Sequence, residues 1–286
     1  MPSPLSRRHF LAASAGVVVT ACGKKSSPDV SVKRRSESKA LNIILGNQPP
    51  TYVAGIEERV AFIVLEGKKP TSNLDIEVGF KAAGGEYGEG VKAVAHRDGM
   101  EQRPYYLVRQ TFATPGFYQL GINVAGGSAE AALQAVDPAS IPTPIPGRAM
   151  PAVKTPTVTN PMDVNPICTR SPVCPWHEVG LDAALAEKRP VALYVGTPAR
   201  CVTKTCGPVL DVLLDVKGPF ESKVRFVHLE VYKSLTGEDT IAAIDELKID
   251  TDPWLFLVGA DGVVRDRYNG PIDRKEATEG LTRLVS

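Results

Sequence analysis

The residues in this sequence best suited to chemistry are cysteines. In "TPARCVTKTCGPVLD", residues 197 to 211, Cys201 and Cys206 are separated by Val-Thr-Lys-Thr. Two thiols able to meet can cycle between dithiol and disulfide by way of a mixed disulfide with a partner. The spacing sets a condition on that chemistry. Five positions along a regular helix rise ~7.5 Å, while a disulfide needs its Cα atoms within ~7 Å, so the pair closes only if the intervening segment is non-helical. Valine and two threonines, all poor helix formers, suit that requirement. Gly207 and Pro208 follow, and proline in a first turn is compatible with a helix starting there. Arg200 and Lys204 flank the pair, and positive charge together with a helix N-terminus favours a thiolate.

A second pair lies in "NPICTRSPVCPWH". Cys168 and Cys174, with Pro172 between them, suit a local structural disulfide worth ~2 kcal/mol in the chain-entropy model. His177 follows closely, but the C-x5-C and C-x4-C spacings differ from the shorter C-x2-4-C spacing of zinc sites, and zinc is not expected. Four cysteines allow three pairings, so a crossed arrangement stays open.

The elements around these cysteines alternate. From Glu178 the sequence reads as a helix "EVGLDAALAEK", an apolar strand "PVALYVG", a helix "GPVLDVLLDV" and a strand "VRFVHLEV". It continues with a helix "EDTIAAIDEL", a strand "WLFLVGA", a turn at Asp261-Gly262, a strand "VVRDRY" and a last helix. Apolar strands between helices imply a sheet covered on both faces. With cysteines directly after the first strand and "DTDPWLFLVGADGVV" near the end, residues 178–286 resemble the thioredoxin fold. The resemblance implies an α/β domain in which Cys201 and Cys206 are the reacting pair and Pro253 faces them with a cis peptide, while Arg200 by its charge and Gly207 and Pro208 by starting the helix are the residues expected to support the pair. Two departures stand out. Arg200 replaces the tryptophan that precedes the first cysteine in thioredoxins, and "VALYVG" lacks the buried acid of their preceding strand, which argues against an efficient general reductase.

Upstream, residues 41–137 read as β. Seven short stretches ("LNIIL", "RVAFIVLE", "LDIEVGF", "VKAVAH", "YYLVRQTF", "FYQLGINV" and "AEAALQAV") are separated by Gly, Pro and Asn turn signals. They predict an immunoglobulin-like β-sandwich, and Gly116 followed by Tyr118 resembles a tyrosine corner. This region has no cysteine and one histidine, His96, and shows no catalytic constellation. Residues 138–177 are proline-rich and read as an extended connector whose last third packs on the next domain.

The N-terminus carries Arg7-Arg8 and an apolar run from Phe10 to Ala21. That run is shorter than the ~20 residues a membrane span needs and reads as an export signal over residues 1–21. Ser-Arg-Arg-His-Phe-Leu resembles a twin-arginine signal, and Val-Thr-Ala-Cys ending at Cys22 resembles a lipobox, which implies lipidation of Cys22. Residues 22–40 are polar and predict a flexible tether. The expected location is therefore extracytoplasmic and lipid-anchored, an oxidising setting in which disulfides persist. Hydrophobic residues make up 43% and charged residues 23% of the 286, with a formal charge of +1. A nearly neutral chain gives no electrostatic case for nucleic acid, and no cofactor motif is present.

Three readings of Cys201 and Cys206 stay open: a thiol–disulfide oxidoreductase in which Cys201 attacks and Cys206 resolves, a structural staple on a domain kept for binding, and a copper chaperone using both cysteines with a histidine. For the last, His228 lies within an apolar strand and reads as a core residue. The partners expected of the first reading are exported proteins with thiols or disulfides, or a redox partner.

Overall fold

The computed structural model describes residues 40–46, 51–124 and 127–286; the expected signal, Cys22 and nearly all of the tether lie outside them. The first part of the chain is entirely β: β1 (Leu41–Leu45), β2 (Thr51–Val53), β3 (Glu57–Glu66), β4 (Lys69–Thr71), β5 (Glu77–Ala82), β6 (Val91–Lys92), β7 (Val94–His96), β8 (Tyr105–Thr111), β9 (Gly116–Val124) and β10 (Gly127–Val136). The second part is α/β: α1 (Leu181–Ala186), β11 (Val191–Val195), α2 (Cys206–Val216), β12 (Arg225–Leu229), α3 (Ala242–Glu246), β13 (Trp254–Val258), β14 (Val264–Asn269) and α4 (Arg274–Val285). The α/β element order is the one read from the sequence. In the β part, each expected strand is present, β2 and β4 are additional, and "VKAVAH" is broken into β6 and β7.

The β strands form two sheets, ordered β1-β3-β8-β7, with β4 beside β3, and β2-β10-β9-β5-β6. Side chains of a strand alternate between faces, and β3 uses both. Val60, Phe62 and Val64 point into a core shared with Val78, Leu120, Ile122 and Leu133 of the other sheet. Ala61 and Ile63 point the opposite way, into a core shared with α2, β13 and α4 of the α/β part. The near-continuous apolar run of β3 is explained by this two-sided burial. At the end of the sandwich, Tyr118 Oη donates to the Thr114 carbonyl at 2.8 Å, a bond of the tyrosine-corner kind.

The α/β sheet is ordered β12-β11-β13-β14, with β12 parallel to β11, β13 antiparallel to β11 and β14 antiparallel to β13. Its strands also feed two cores. Ala192, Tyr194, Leu255 and Leu257 face α2 and α4, while Val191, Leu193, Val195, Phe256 and Val258 face α1 and α3. The apolar positions of α2 fall at helical spacing, burying Cys206, Val209, Leu210, Val212 and Leu213. Helix α4 is capped by Asp273, whose carboxylate accepts from the Glu276 backbone N–H at 2.8 Å.

The connector packs along the α/β part over much of its length. Met150 N–H donates to the Gly262 carbonyl and Asn165 N–H to the Lys233 carbonyl, and Met150, Val153 and Val164 enter the core beneath α1 and α3. His228 N–H of β12 donates to the Trp176 carbonyl, so the connector's end covers the edge strand, a common protection for exposed ladder groups. Among the described residues no helix is long and apolar enough to cross a membrane.

Candidate functional site

Strand β11 ends at Val195, and residues 196–205 lead into α2. The chain turns back between the two cysteines: Lys204 is in the left-handed region (φ 56°), and its N–H donates to the Cys201 carbonyl at 3.1 Å. The segment is non-helical, and Cys201 and Cys206 are joined by a disulfide with Cα atoms 5.9 Å apart. The helix begins at Cys206 itself, one residue before Gly207, with Pro208 in its first turn. Cys206 is fully buried, whereas Cys201 is half-buried at the loop surface. The Cys206 N–H donates to Cys201 Sγ at 3.3 Å, and Thr203 Oγ1 lies 3.1 Å from that sulfur. Tyr194 Oη holds the start of the helix by donating to the Cys206 carbonyl at 2.6 Å. Val202, at the tip of the loop, is 90% exposed.

The Asp252–Pro253 peptide is cis, and β13 begins immediately after it. The residue that reaches the sulfurs is Asp252, whose Oδ2 lies 3.2 Å from Cys206 Sγ and accepts from the Thr197 N–H at 3.3 Å. Burial pushes the Asp252 carboxyl above its ordinary range, against the pull of the Thr197 N–H. An acid with a raised pKa beside the buried sulfur can give a proton to a departing thiolate and take it back. Strand β11, which precedes the cysteines, has no acid; the loop before β13 supplies one. The signal for it was Asp252's place directly before Pro253.

Arg200 does not play the part expected of it. Its guanidinium donates to the Ser234 carbonyl at 3.1 Å and to the Gly237 carbonyl, pairs with Glu238, and lies 3.9 Å from the Tyr232 ring centroid. Its charge is spent on pinning residues 232–238 to the cysteine loop instead of on the sulfurs.

The second pair also differs from expectation. Cys168 and Cys174 are free thiols, not a disulfide, and His177 and His228 converge on them. One ligand atom from each of the four lies within 4.8 Å of every other, and all four residues are buried. His228 Nδ1 lies 3.2 Å from Cys174 Sγ and 3.8 Å from Cys168 Sγ, while its Nε2 is 2.9 Å from the Gly196 carbonyl. Since a carbonyl only accepts, Nε2 carries the proton, and in the neutral ring the Nδ1 lone pair faces the sulfurs. The hydrogen bond from Cys174 leads the effects that pull the Cys168 thiol well down, aided by contacts with both histidines. Burial is the largest effect and opposes charge on His228, but Cys168, Glu230 and the Gly196 carbonyl together outweigh it and raise its pKa. Glu230, also buried, accepts from the Thr169 N–H at 2.7 Å. Thr169 in turn accepts from the Ala199 N–H at 3.2 Å, tying the Cys168–Cys174 segment to the loop that carries Cys201. Histidine 228, read as a core residue, is buried as expected but belongs with Cys168 and Cys174 and not with Cys201 and Cys206. The second pair's sequence neighbours gave no hint of it, because His228 arrives from β12.

No family model matches the chain, and no curated protein matches it. Among solved structures, it is similar to a thioredoxin-family thiol:disulfide interchange protein from Chlorobium tepidum, at 14% identity over 51% of this chain and 99% of that one, with a TM-score of 0.33. It is also similar to the PKD domain of human SorCS2 (18% identity, 45% of this chain, 100% of that one, TM-score 0.23). A third likeness is to a superoxide reductase from Ignicoccus hospitalis (16% identity, 33% and 77%, TM-score 0.23). At these scores the likenesses carry no functional argument.

Proposed function

We propose that this chain is a thiol–disulfide exchange protein, with a thioredoxin-type α/β part that works through Cys201 and Cys206 and an immunoglobulin-like sandwich packed beside it. The observation that carries the reading is a disulfide with one reachable sulfur, Cys201, and one buried sulfur, Cys206, held against an acid. A substrate thiolate attacks Cys201 Sγ. A new S–S bond forms to the substrate, the Cys201–Cys206 bond breaks, and Cys206 leaves as a thiolate that takes a proton from Asp252. A second substrate thiolate then attacks the substrate sulfur of the mixed disulfide and displaces Cys201. The substrate pair is oxidised and the protein pair reduced; the same steps in reverse reduce a substrate disulfide. Val202, apolar and exposed beside Cys201, offers a contact for a polypeptide substrate.

Replacing Cys206 with Ser removes the resolving sulfur, so Cys206→Ser should accumulate mixed disulfides through Cys201, visible as adducts that a reductant releases. Cys201→Ser should form none. A staple on a binding module is favoured by the diversion of Arg200 from the sulfurs, and it is the reading left standing if neither variant forms adducts and the wild type exchanges no thiols with reduced peptides.

The signal-like N-terminus and the lipobox-like stretch ending at Cys22 support an outward-facing, lipid-tethered placement for this activity. Cys22→Ala should shift the protein from the membrane to the soluble fraction. Continued full membrane association of that variant would remove the anchor from the account.

A further inference from the structure

We propose that Cys168, Cys174, His177 and His228 form a closed zinc site, separate from the Cys201–Cys206 disulfide, that fastens the connector to the edge of the α/β sheet. Two thiols and two imidazoles are the donor set of tetrahedral structural zinc. With Zn–S near 2.3 Å and Zn–N near 2.0–2.1 Å, adjacent sulfur and nitrogen ligands in a tetrahedron stand about 3.6 Å apart. The two His228 Nδ1–sulfur separations, 3.2 and 3.8 Å, bracket that value. All four donors already fall within 4.8 Å of one another.

Three further features point to a ligand. His177 is 2% exposed, and its Nε2 is buried with no hydrogen-bond partner among the described residues, a costly state for a polar atom unless something binds there. His228 has the arrangement typical of a metal-bound histidine, one ring nitrogen donating to a backbone carbonyl and the other facing the site. The cysteines are also unbonded to each other although they are close, whereas Cys201 and Cys206 are bonded.

Three ligands come from the connector and one from β12, so the ion would complete the join that the His228 N–H and Trp176 carbonyl begin. On binding, Zn2+ takes both sulfurs as thiolates and their protons leave to solvent, which gives a neutral core to the site. All four positions are protein ligands, so this zinc holds structure and leaves no open place for a substrate. Sequence spacing alone did not show the site because its fourth ligand is distant in sequence.

The test uses the full chain carrying Cys201→Ser and Cys206→Ser, which removes the exchange pair and leaves the proposed ligands. Purified from zinc-supplemented cells, it should contain about one zinc per chain by mass spectrometric metal analysis. Adding Cys168→Ser and Cys174→Ser should reduce this to background. Because that variant could fail to fold, the metal-stripped, reduced Cys201→Ser/Cys206→Ser chain is also titrated with cobalt(II). Tetrahedral ligand-field bands and a thiolate-to-cobalt charge-transfer band, saturating at about one equivalent and displaced by zinc, are expected. Zinc at background with no cobalt spectrum overturns the proposal, as does a Cys168–Cys174 disulfide in peptide mapping of the freshly purified chain. Stoichiometric copper in place of zinc overturns the choice of metal. This variant lacks the exchange pair, so its metal content is read without reference to the Cys201–Cys206 chemistry and the two proposals fail separately.

Discussion

Asp252 is the residue on which the proposed exchange most depends after the cysteines themselves. Its carboxylate lies against a sulfur that has no proton while the disulfide is closed, and burial raises its pKa. The folded chain therefore holds the Asp252 proton more tightly than the unfolded chain does. Stability falls as pH rises from the ordinary carboxylate range through the raised folded value, and the penalty persists above it. Asp252→Asn removes that penalty, so it should raise the melting temperature by about 1–3 °C at pH 7 and not at all in acid below the ordinary carboxylate range. The same change should slow opening of the Cys201–Cys206 disulfide by dithiothreitol about tenfold or more, measured by quenched alkylation, because the departing Cys206 thiolate loses its proton donor. A variant that gains stability but opens at the wild-type rate would leave Asp252 a buried burden with no part in exchange. The cysteines could be read from the sequence, because thiol spacing is a local property. Asp252 was marked only by its place before Pro253 and His228 by nothing nearby, because the one meets Cys206 and the other Cys168 and Cys174 only after the sheet has formed.

Strand β3 and helix α4 show how distant segments are locked together. Arg59 of β3 donates to the Glu276 carboxylate at 2.7 Å and to the Asn269 carbonyl at 2.8 Å, and Tyr105 Oη of β8 donates to the same carboxylate at 2.5 Å. Arg59 and Glu276 are each almost wholly buried. Removing one partner from such a pair leaves an uncompensated buried charge, which costs far more than the intact pair contributes. Glu276→Ala should therefore lose about 3–5 kcal/mol in urea unfolding, while the exposed pair Lys275–Glu279 on the same helix should matter little when broken. A loss below about 1 kcal/mol for Glu276→Ala would mean that water reaches Arg59. Elements of this kind were legible in part. The strands of the β part and the α/β order followed from apolar periodicity, but periodicity is silent about which face meets which. Nothing in "ERVAFIVLE" says that its alternate residues serve two different cores. The short β2 and β4 were missed because three-residue strands carry too little pattern to register.

The β part and the α/β part were expected as two domains, yet they share a core. Ala61, Ile63, Met100 and Tyr105 pack with Leu255, Tyr268, Ile272 and Leu281, and around that contact lie buried polar links: Arg59 to Glu276, Arg267 to Glu58 at 2.9 Å, and His96 to Asp273 at 2.9 Å. Interfaces between independent domains are commonly more polar and less buried than this. Unfolding either part would expose apolar surface and strip charged partners from the other, so the penalty for partial unfolding is large at both ends. We expect one calorimetric transition, with the van't Hoff and calorimetric enthalpies in agreement. The disulfide closes only a short loop on the surface of this unit and restricts the unfolded chain modestly, by about 2 kcal/mol. Reduction of Cys201–Cys206 should therefore lower the melting temperature by several degrees while the transition stays single. Two resolved transitions would show that the parts fold separately. Loss of the transition on reduction alone would show that the disulfide, and not the shared core, holds the fold.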